Sequence, residues 1–299
     1  MQRVLITNGV FERELGKLPK TIAILNLDLP LAQSASAEHI SVTQGDTEVE
    51  LDRRSTVHFL PFRSPFEASD QKLNATALYD GVALLLTLLN MGVSLRSDPF
   101  KWLRAYDRSV LFALGDLVAV PALELYQGVD HLDARQDDKG EYLVKSGLGV
   151  KKSHGAGNYL AASLLPQMMA PLRVPTKQRF AVQRYIPAER EVRLYAIIGA
   201  DGAFHSTAIE MPVGERQAPD WRDNLAVSKL RVEEIADPQL ELLGRAVIGR
   251  LGLAYMCIDL LLSVGRWHLI DVNPHGSWSW LPKKSATAVR DMVNENLFY

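Results

Sequence analysis

The stretch from Cys257 to Pro282, CIDLLLSVGRWHLIDVNPHGSWSWLP, constrains this chain more than any other. Two apolar runs separated by a turn-forming segment read as a β-hairpin. Yet its strands carry Asp259, Asp271 and Asn273, polar groups that burial penalises unless they find partners. Alternation puts Cys257 and Asp259 on one face of the first strand, and Asp271 and Asn273 on one face of the second. If the strands pair, three oxygen donors converge. Such a set suits Mg²⁺ or Mn²⁺, which keep several waters and are completed by substrate phosphates. A lone strand aspartate is more often an edge or turn residue; three donors together favour a metal.

The neighbours of these donors admit plainer readings. Cys257 reads as a small buried hydrophobe, since nothing near it in sequence would lower a thiol pKa. Trp278 and Trp280 alternate and share a face, so core packing and a substrate wall both stand. His275 lies either beside the ligands or in solvent.

Upstream, EYLVKSGLGVKKSHGAG places Lys145 on a strand and then crowds Gly147, Gly149, Gly155 and Gly157 around Lys151 and Lys152. Glycines let backbone N–H groups approach phosphate closely, and lysines add charge. The run lacks the Walker spacing and the third glycine of a dinucleotide loop. A surface loop and a nucleotide cover are both open until the hairpin is considered with it.

Composition narrows the classes. With 299 residues, 47% hydrophobic and 23% charged, the chain can bury two or three subdomains and has no disordered bias. A net charge of -2 gives no overall footprint for nucleic acid or an anionic membrane. One cysteine excludes an internal disulfide framework and a CxxC zinc site, which fits a reducing, cytoplasmic setting. The start, MQRVLITNGVFERELGK, does not read as a secretory signal. GVALLLTLLNMGV is shorter than the roughly 20 residues of a membrane span and reads as a buried helix. No GxSxG elbow or HExxH helix is present, which sets aside serine and zinc hydrolases.

The remaining pattern alternates strands and helices. RVLITN and TIAILNLD read as strands, RRSTVHFLPFRSPFEASD as a strand entering a loop, and the segment after Leu78 as a helix followed by extended GVSL. One or two helices end before Pro121, with a strand beyond. QRFAVQRYIPAEREVRLYAIIGADGAFHSTAIEM gives three strands with a hairpin at GADGA. DPQLELLGRAVIGRLG is helical with Gly252 as its stop, and ATAVRDMVNENLF is a last helix.

The order strand lysine, glycine loop, VQRYIP, EVRLYAIIG, DWRDN and finally IDVNPHGSWSW resembles the ATP-grasp ligases. Within them it is similar to the ribosomal-protein glutamate ligases and to the graspetide (microviridin-type) macrocycle synthetases, whose last motif reads like NPxGxWxW. The resemblance implies an α/β (α+β) ATP-grasp fold: a pre-ATP-grasp domain over residues 1–100, a central subdomain over 101–177 with the glycine loop, and a C-terminal subdomain over 178–299. It implies ATP held between two antiparallel sheets.

By that resemblance Lys145, Gly147 and Gly149 approach the phosphates, and Gln183, Arg184 and Tyr185 the adenine. Glu191 occupies the ribose position, with Arg193 and Arg222 as catalytic cations and Asn224 near the metal. Asp259, Asp271 and Asn273 match the Mg²⁺ (or Mn²⁺) ligands. The sequence departs from the pattern at Arg108, where a lysine is usual, at Arg184, where an acid is usual, and at Asp271, one methylene shorter than the commoner glutamate. The implied activity is ATP-dependent joining of a carboxylate to an amine or hydroxyl through an acylphosphate, with a peptide or amino acid as substrate. A free-acid ligase and an inactive ATP-binding homologue are the alternatives. Nucleic acid and membrane are not expected partners, and a homodimer is the default.

Overall fold

The computed structural model describes residues 3–8, 14–61, 75–127, 142–146, 179–213 and 232–298. Its first unit is a parallel sheet in the order β2 (Ile22–Asn26), β1 (Arg3–Thr7), β6 (Thr56–Phe59), β7 (Ser94–Arg96). β1 is apolar without alternation because both its faces are covered. Val4 and Ile6 join one core, with Leu84 and Leu88 of α1 (Ala75–Asn90), while Leu5 joins a second core with Leu15 and Trp278.

A meander that the sequence reading did not anticipate lies between β2 and β6. Its strands β3 (Ala32–Ala35), β4 (Ile40–Gln44) and β5 (Thr47–Leu51) are antiparallel. Ile40 and Val42 face Leu51 and Val49 across the ladder, all four buried, and Gly45 takes the left-handed turn position at φ 57°.

α2 (Pro99–Tyr106) starts on Asp98, whose carboxylate accepts from the amides of Phe100 and Lys101. Asp107 then caps a 3-10 helix over Arg108–Leu114. The central sheet is antiparallel, with β10 (Arg179–Arg184) between β8 (Leu123–Gln127) and β9 (Tyr142–Ser146). Strand pairing thus joins residues 179–184 to the sheet of the central segment.

The largest sheet runs β13 (Glu233–Ile235), β12 (Phe204–Met211), β11 (Arg190–Ile198), β14 (Tyr255–Ser263), β15 (Arg266–Asn273), antiparallel throughout. Both faces are covered. Val192, Leu194, Met256 and Ile258 share a core with Val247 and Ile248 of α3 (Pro238–Leu251), which stops at left-handed Gly252. Tyr195, Ile197, Tyr255 and Cys257 face Val289 and Val293 of α4 (Lys283–Leu297). That last helix starts before the expected Ala286, because Pro282 already stands at its N-cap. Among the described residues no helix is long and apolar enough to cross a membrane.

Candidate active site

The α4 face of the large sheet changes character along its strands. On β11 it reads Ile197, Tyr195, Arg193; on β14 it reads Tyr255, Cys257, Asp259. Where the apolar residues run out, the charged ones begin. Arg193 pairs directly with Asp259 across β11 and β14, and Asp259 with Asp271 across β14 and β15.

A β-bulge decides which way Asp271 points. The ladder matches Asp259 to Asp271 but Leu260 to Leu269, leaving Ile270 as an extra residue. Trp267 and Leu269 face the α3 core, and strict alternation would send Asp271 and Asn273 there too. After the bulge Val272 takes the core position instead, so Asp271 and Asn273 line up beside Asp259 and Cys257.

Each carboxylate is held. Arg193 Nε and Nη2 donate to the two oxygens of Asp259 at 2.7 and 2.8 Å, a forked contact, and Asn273 Nδ2 donates to the same carboxylate at 3.0 Å. Arg108, first residue of the 3-10 helix, places Nη1 2.7 Å from Asp271 Oδ1, which also accepts from the Val272 amide. Burial opposes the charge on Asp271, but Arg108 and then Lys145 outweigh it and hold the carboxyl below its ordinary range. Burial likewise opposes the Arg193 charge, and Asp259 reverses this, raising its pKa further.

Lys145 comes from the other sheet. Its ammonium donates to Gln183 Oε1 at 2.7 Å and to the carbonyl of the bulged Ile270 at 3.2 Å, so it ties β9 and β10 to β15. Burial first, and Arg108 second, lower its pKa to about 8, against the pull of Asp271, Asp259 and Glu191. Glu191 therefore acts on this cluster through its charge.

The structure brings together Arg108, Lys145, Gln183, Glu191, Arg193, Asp259, Asp271 and Asn273. Arg184 is exposed at the end of β10 and Tyr185 half-buried beyond it. Gly147, Gly149, Gly155, Gly157, Lys151, Lys152, Arg222 and Asn224 lie outside the described residues. Burial pushes the Cys257 thiol up, in line with the structural reading of that residue.

The two tryptophans divide. Trp278, 1% exposed, packs edge-on against Tyr195 and Tyr255 and is core. Trp280 is half-buried with its ring 5.2 Å from the Arg193 guanidinium, beside the charged cluster. His275 is neither free in solvent nor bonded to a carboxylate: its ring lies 5.1 Å from that of Tyr106 and 6.0 Å from that of Trp102, and burial lowers its pKa to about 4. Glu14 was missed altogether. No local pattern marks it, because its partners are Ser277, Trp278 and Ser279 at the opposite end of the chain.

Among the described residues no group of three or more histidines, cysteines and acids converges as a metal site. Two carboxylates and an amide do converge, and with Asn273 turned to present its oxygen they offer the all-oxygen donors of Mg²⁺, which takes one or two carboxylates and fills its remaining positions with water and phosphate. The residues fit that ion. Arg193 and Arg108 supply positive charge to the same two carboxylates.

No protein-family model and no curated protein matches the sequence. Solved structures do match the fold. A RiPP-associated ATP-grasp ligase of Chryseobacterium gregarium, in complex with ADP and a leader and core peptide, superposes with a TM-score of 0.67 at 16% identity, over 99% of this chain and 97% of that one. The ATP-grasp ligase PsnB, complexed with a phosphomimetic variant of its minimal precursor, Mg and ADP, gives 0.67 at 13% identity, over 97% of each chain. D-alanyl-alanine synthetase A of Vibrio cholerae gives 0.62 at 12% identity, over 99% of this chain and 95% of that one. The chain has the ATP-grasp fold.

Proposed function

We propose that the chain is an ATP-dependent ligase that activates a carboxylate as an acylphosphate and joins it to an amine or hydroxyl, with a peptide as substrate. The observation that carries this reading is the meeting of Lys145 from the central sheet with Arg193, Asp259, Asp271 and Asn273 of the large one. Two antiparallel sheets facing one cluster of cations and carboxylates is an arrangement suited to a triphosphate and its divalent ion. The likeness to ligases bound to ADP, Mg and precursor peptides supports it.

In this reading Asp259, Asp271 and Asn273 hold Mg²⁺, with Mn²⁺ as a substitute, and Gln183, Arg184, Tyr185 and Glu191 receive the nucleoside. Bound magnesium ATP supplies the phosphoryl group that makes the substrate carboxylate electrophilic. The chain's own part is charge and position. Lys145 lies against the bulge carbonyl and donates toward phosphate oxygens. Arg193 offsets charge on the transferred group, together with Arg222, and the Trp280 ring backs its guanidinium. Arg108 keeps Asp271 ionised and aimed.

Thermal unfolding with and without Mg-ATP tests the site. Ligand at about 100 times its dissociation constant stabilises by roughly 2.7 kcal/mol. The native chain should show this and an Asp271→Asn, Asn273→Ala variant should not; a native chain indifferent to Mg-ATP overturns the reading. ADP release is then measured with precursor-like peptides and with free amino acids. The likeness to D-alanyl-alanine synthetase supports free acids as the second reading, and turnover with them alone would select it. Binding without ADP release under any acceptor would identify an inactive homologue.

A further inference from the structure

Glu14 is 1% exposed, and among the described residues no cation pairs with it. Its charge is instead met by one turn. Oε2 accepts from the backbone amides of Trp278 at 2.9 Å and Ser279 at 2.8 Å, Oε1 accepts from the Ser277 hydroxyl, and the Glu14 carbonyl accepts from the Trp278 indole at 3.0 Å. Burying an ion this way is expensive, and an apolar residue would fill the same space at lower cost. What the carboxylate adds is a fixed turn.

That turn leads to the reacting cluster. The Ser277 carbonyl accepts from the indole of Trp280 at 2.8 Å and from the hydroxyl of Tyr195 at 3.2 Å. The face of Trp280 then lies 5.2 Å from the Arg193 guanidinium, and Arg193 forks onto Asp259. A second contact pins the turn from below, where Gly276 packs so closely that a Cβ would stand 2.1 Å from that of Cys257.

We propose that Glu14 is a positioning residue for Arg193: it locks Ser277–Ser279, the locked turn sets the Trp280 ring, and the ring holds the guanidinium in line with Asp259. The proposal rests on the reading of Arg193 and Asp259 as part of the ligase site. A Glu14 that merely glues the N-terminal segment to the C-terminal half would affect stability and leave the Trp280 and Arg193 environments alone.

The test is ¹⁵N NMR of the full chain, following the Trp280 indole N–H and the Arg193 Nε–H, each assigned by its loss in Trp280→Phe and Arg193→Lys. The Trp102 indole, bonded to the Pro274 carbonyl at 3.1 Å, reports on folding. Glu14→Ala should shift the Trp280 signal and broaden the Arg193 signal away while the Trp102 signal stays. Glu14→Gln, which can still accept from both amides and donate to Ser277, should restore both. Folded Glu14→Ala with both signals unmoved overturns the proposal. If Glu14→Ala does not fold, Ser277→Ala removes one bond of the clamp, and unmoved signals there overturn it equally. Adding Mg-ADP to the native chain is a separate arm: no response condemns the ligase reading, while the variant comparison still decides the role of Glu14.

Discussion

Asp259 answers to Arg193, Asn273 and the cation that the proposed function would bring, so its substitution separates stability from chemistry. Arg193 is mostly buried, and truncating its partner leaves that charge uncompensated. Asp259→Ala should lower unfolding free energy by about 3 kcal/mol, as expected for one broken buried pair. Adding Arg193→Leu should recover much of the loss, because both charges are then gone. Urea unfolding of the single and double variants reads this directly, and a double variant as unstable as the single would mean that the pair is not the cause. His58 gives a second test at this scale. It is buried against Phe298, and burial, then Arg96 and Arg3, lower its pKa from 6.5 to about 4. Between those values the unfolded chain binds a proton that the folded chain refuses, so stability falls as pH drops from about 6.5 to about 4, by at most about 3 kcal/mol for this residue. Above pH 6.5 it adds no slope. Asp271, held below its ordinary carboxylate pKa, acts in a lower window. Comparing His58→Leu with the native chain at pH 7 and pH 4.5 should show a shallower decline in the variant; equal declines would remove His58 as a source.

Among the elements, the hairpin of β14 and β15 shows how far sequence reading reaches. That Asp271 and Asn273 share a face was legible from alternation, but that this face meets Asp259 depends on the bulge as well as on pairing. The bulge at Ile270 was not legible, although alternation counted from Leu269 would have buried Asp271 in the α3 core. Hydrophobicity alone hides it, because Ile270 suits either face. The meander from β3 to β5 was passed over because its buried residues are few and its outer strand is wholly exposed. Glu14 was illegible for another reason: a charge in FERELGK acquires meaning only through residues at the far end of the chain. The turn after β15 yields its own prediction. Gly276→Ala puts a methyl where the Cys257 Cβ already stands, and overpacking of this kind typically costs about 1–3 kcal/mol. Cys257→Gly removes the obstructing carbon, so in that background the added methyl should cost clearly less. Thermal denaturation of the four-member cycle checks it, and additive losses would place the strain elsewhere.

At the scale of the molecule, chain ends and sheets are stitched across large sequence distances. Arg3 donates to the Phe298 carbonyl at 2.5 Å, and Arg96 of β7 donates to the Gly199 and Ala200 carbonyls, both at 2.7 Å, in the turn joining β11 and β12. These contacts bind the parallel sheet to the large one. The central sheet is joined in part through a buried ammonium: Lys145 of β9, held by Gln183 of β10, reaches the Ile270 carbonyl of β15. Among the described residues this charged contact works beside backbone bonds, the Leu269 amide to the Ala119 carbonyl at 2.7 Å and the Glu189 amide to the Leu262 carbonyl at 2.8 Å, and beside Leu123 packed on the core, and in the proposed function it would lie where a triphosphate enters. Replacing it with an apolar side chain of similar length should therefore loosen the central sheet while leaving the large sheet intact. In Lys145→Met, amides of β8, β9 and β10 should exchange with solvent faster than in the native chain, and those of β11 and β14 at the native rate. If the proposed function holds, Mg-ATP should slow exchange in the central strands of the native chain and much less in the variant, because the ammonium bonded to the bulge carbonyl would also meet the phosphates. Uniformly faster exchange in both sheets would show instead that Lys145 supports the whole fold, and unchanged central strands would show that the two sheets are joined by other contacts.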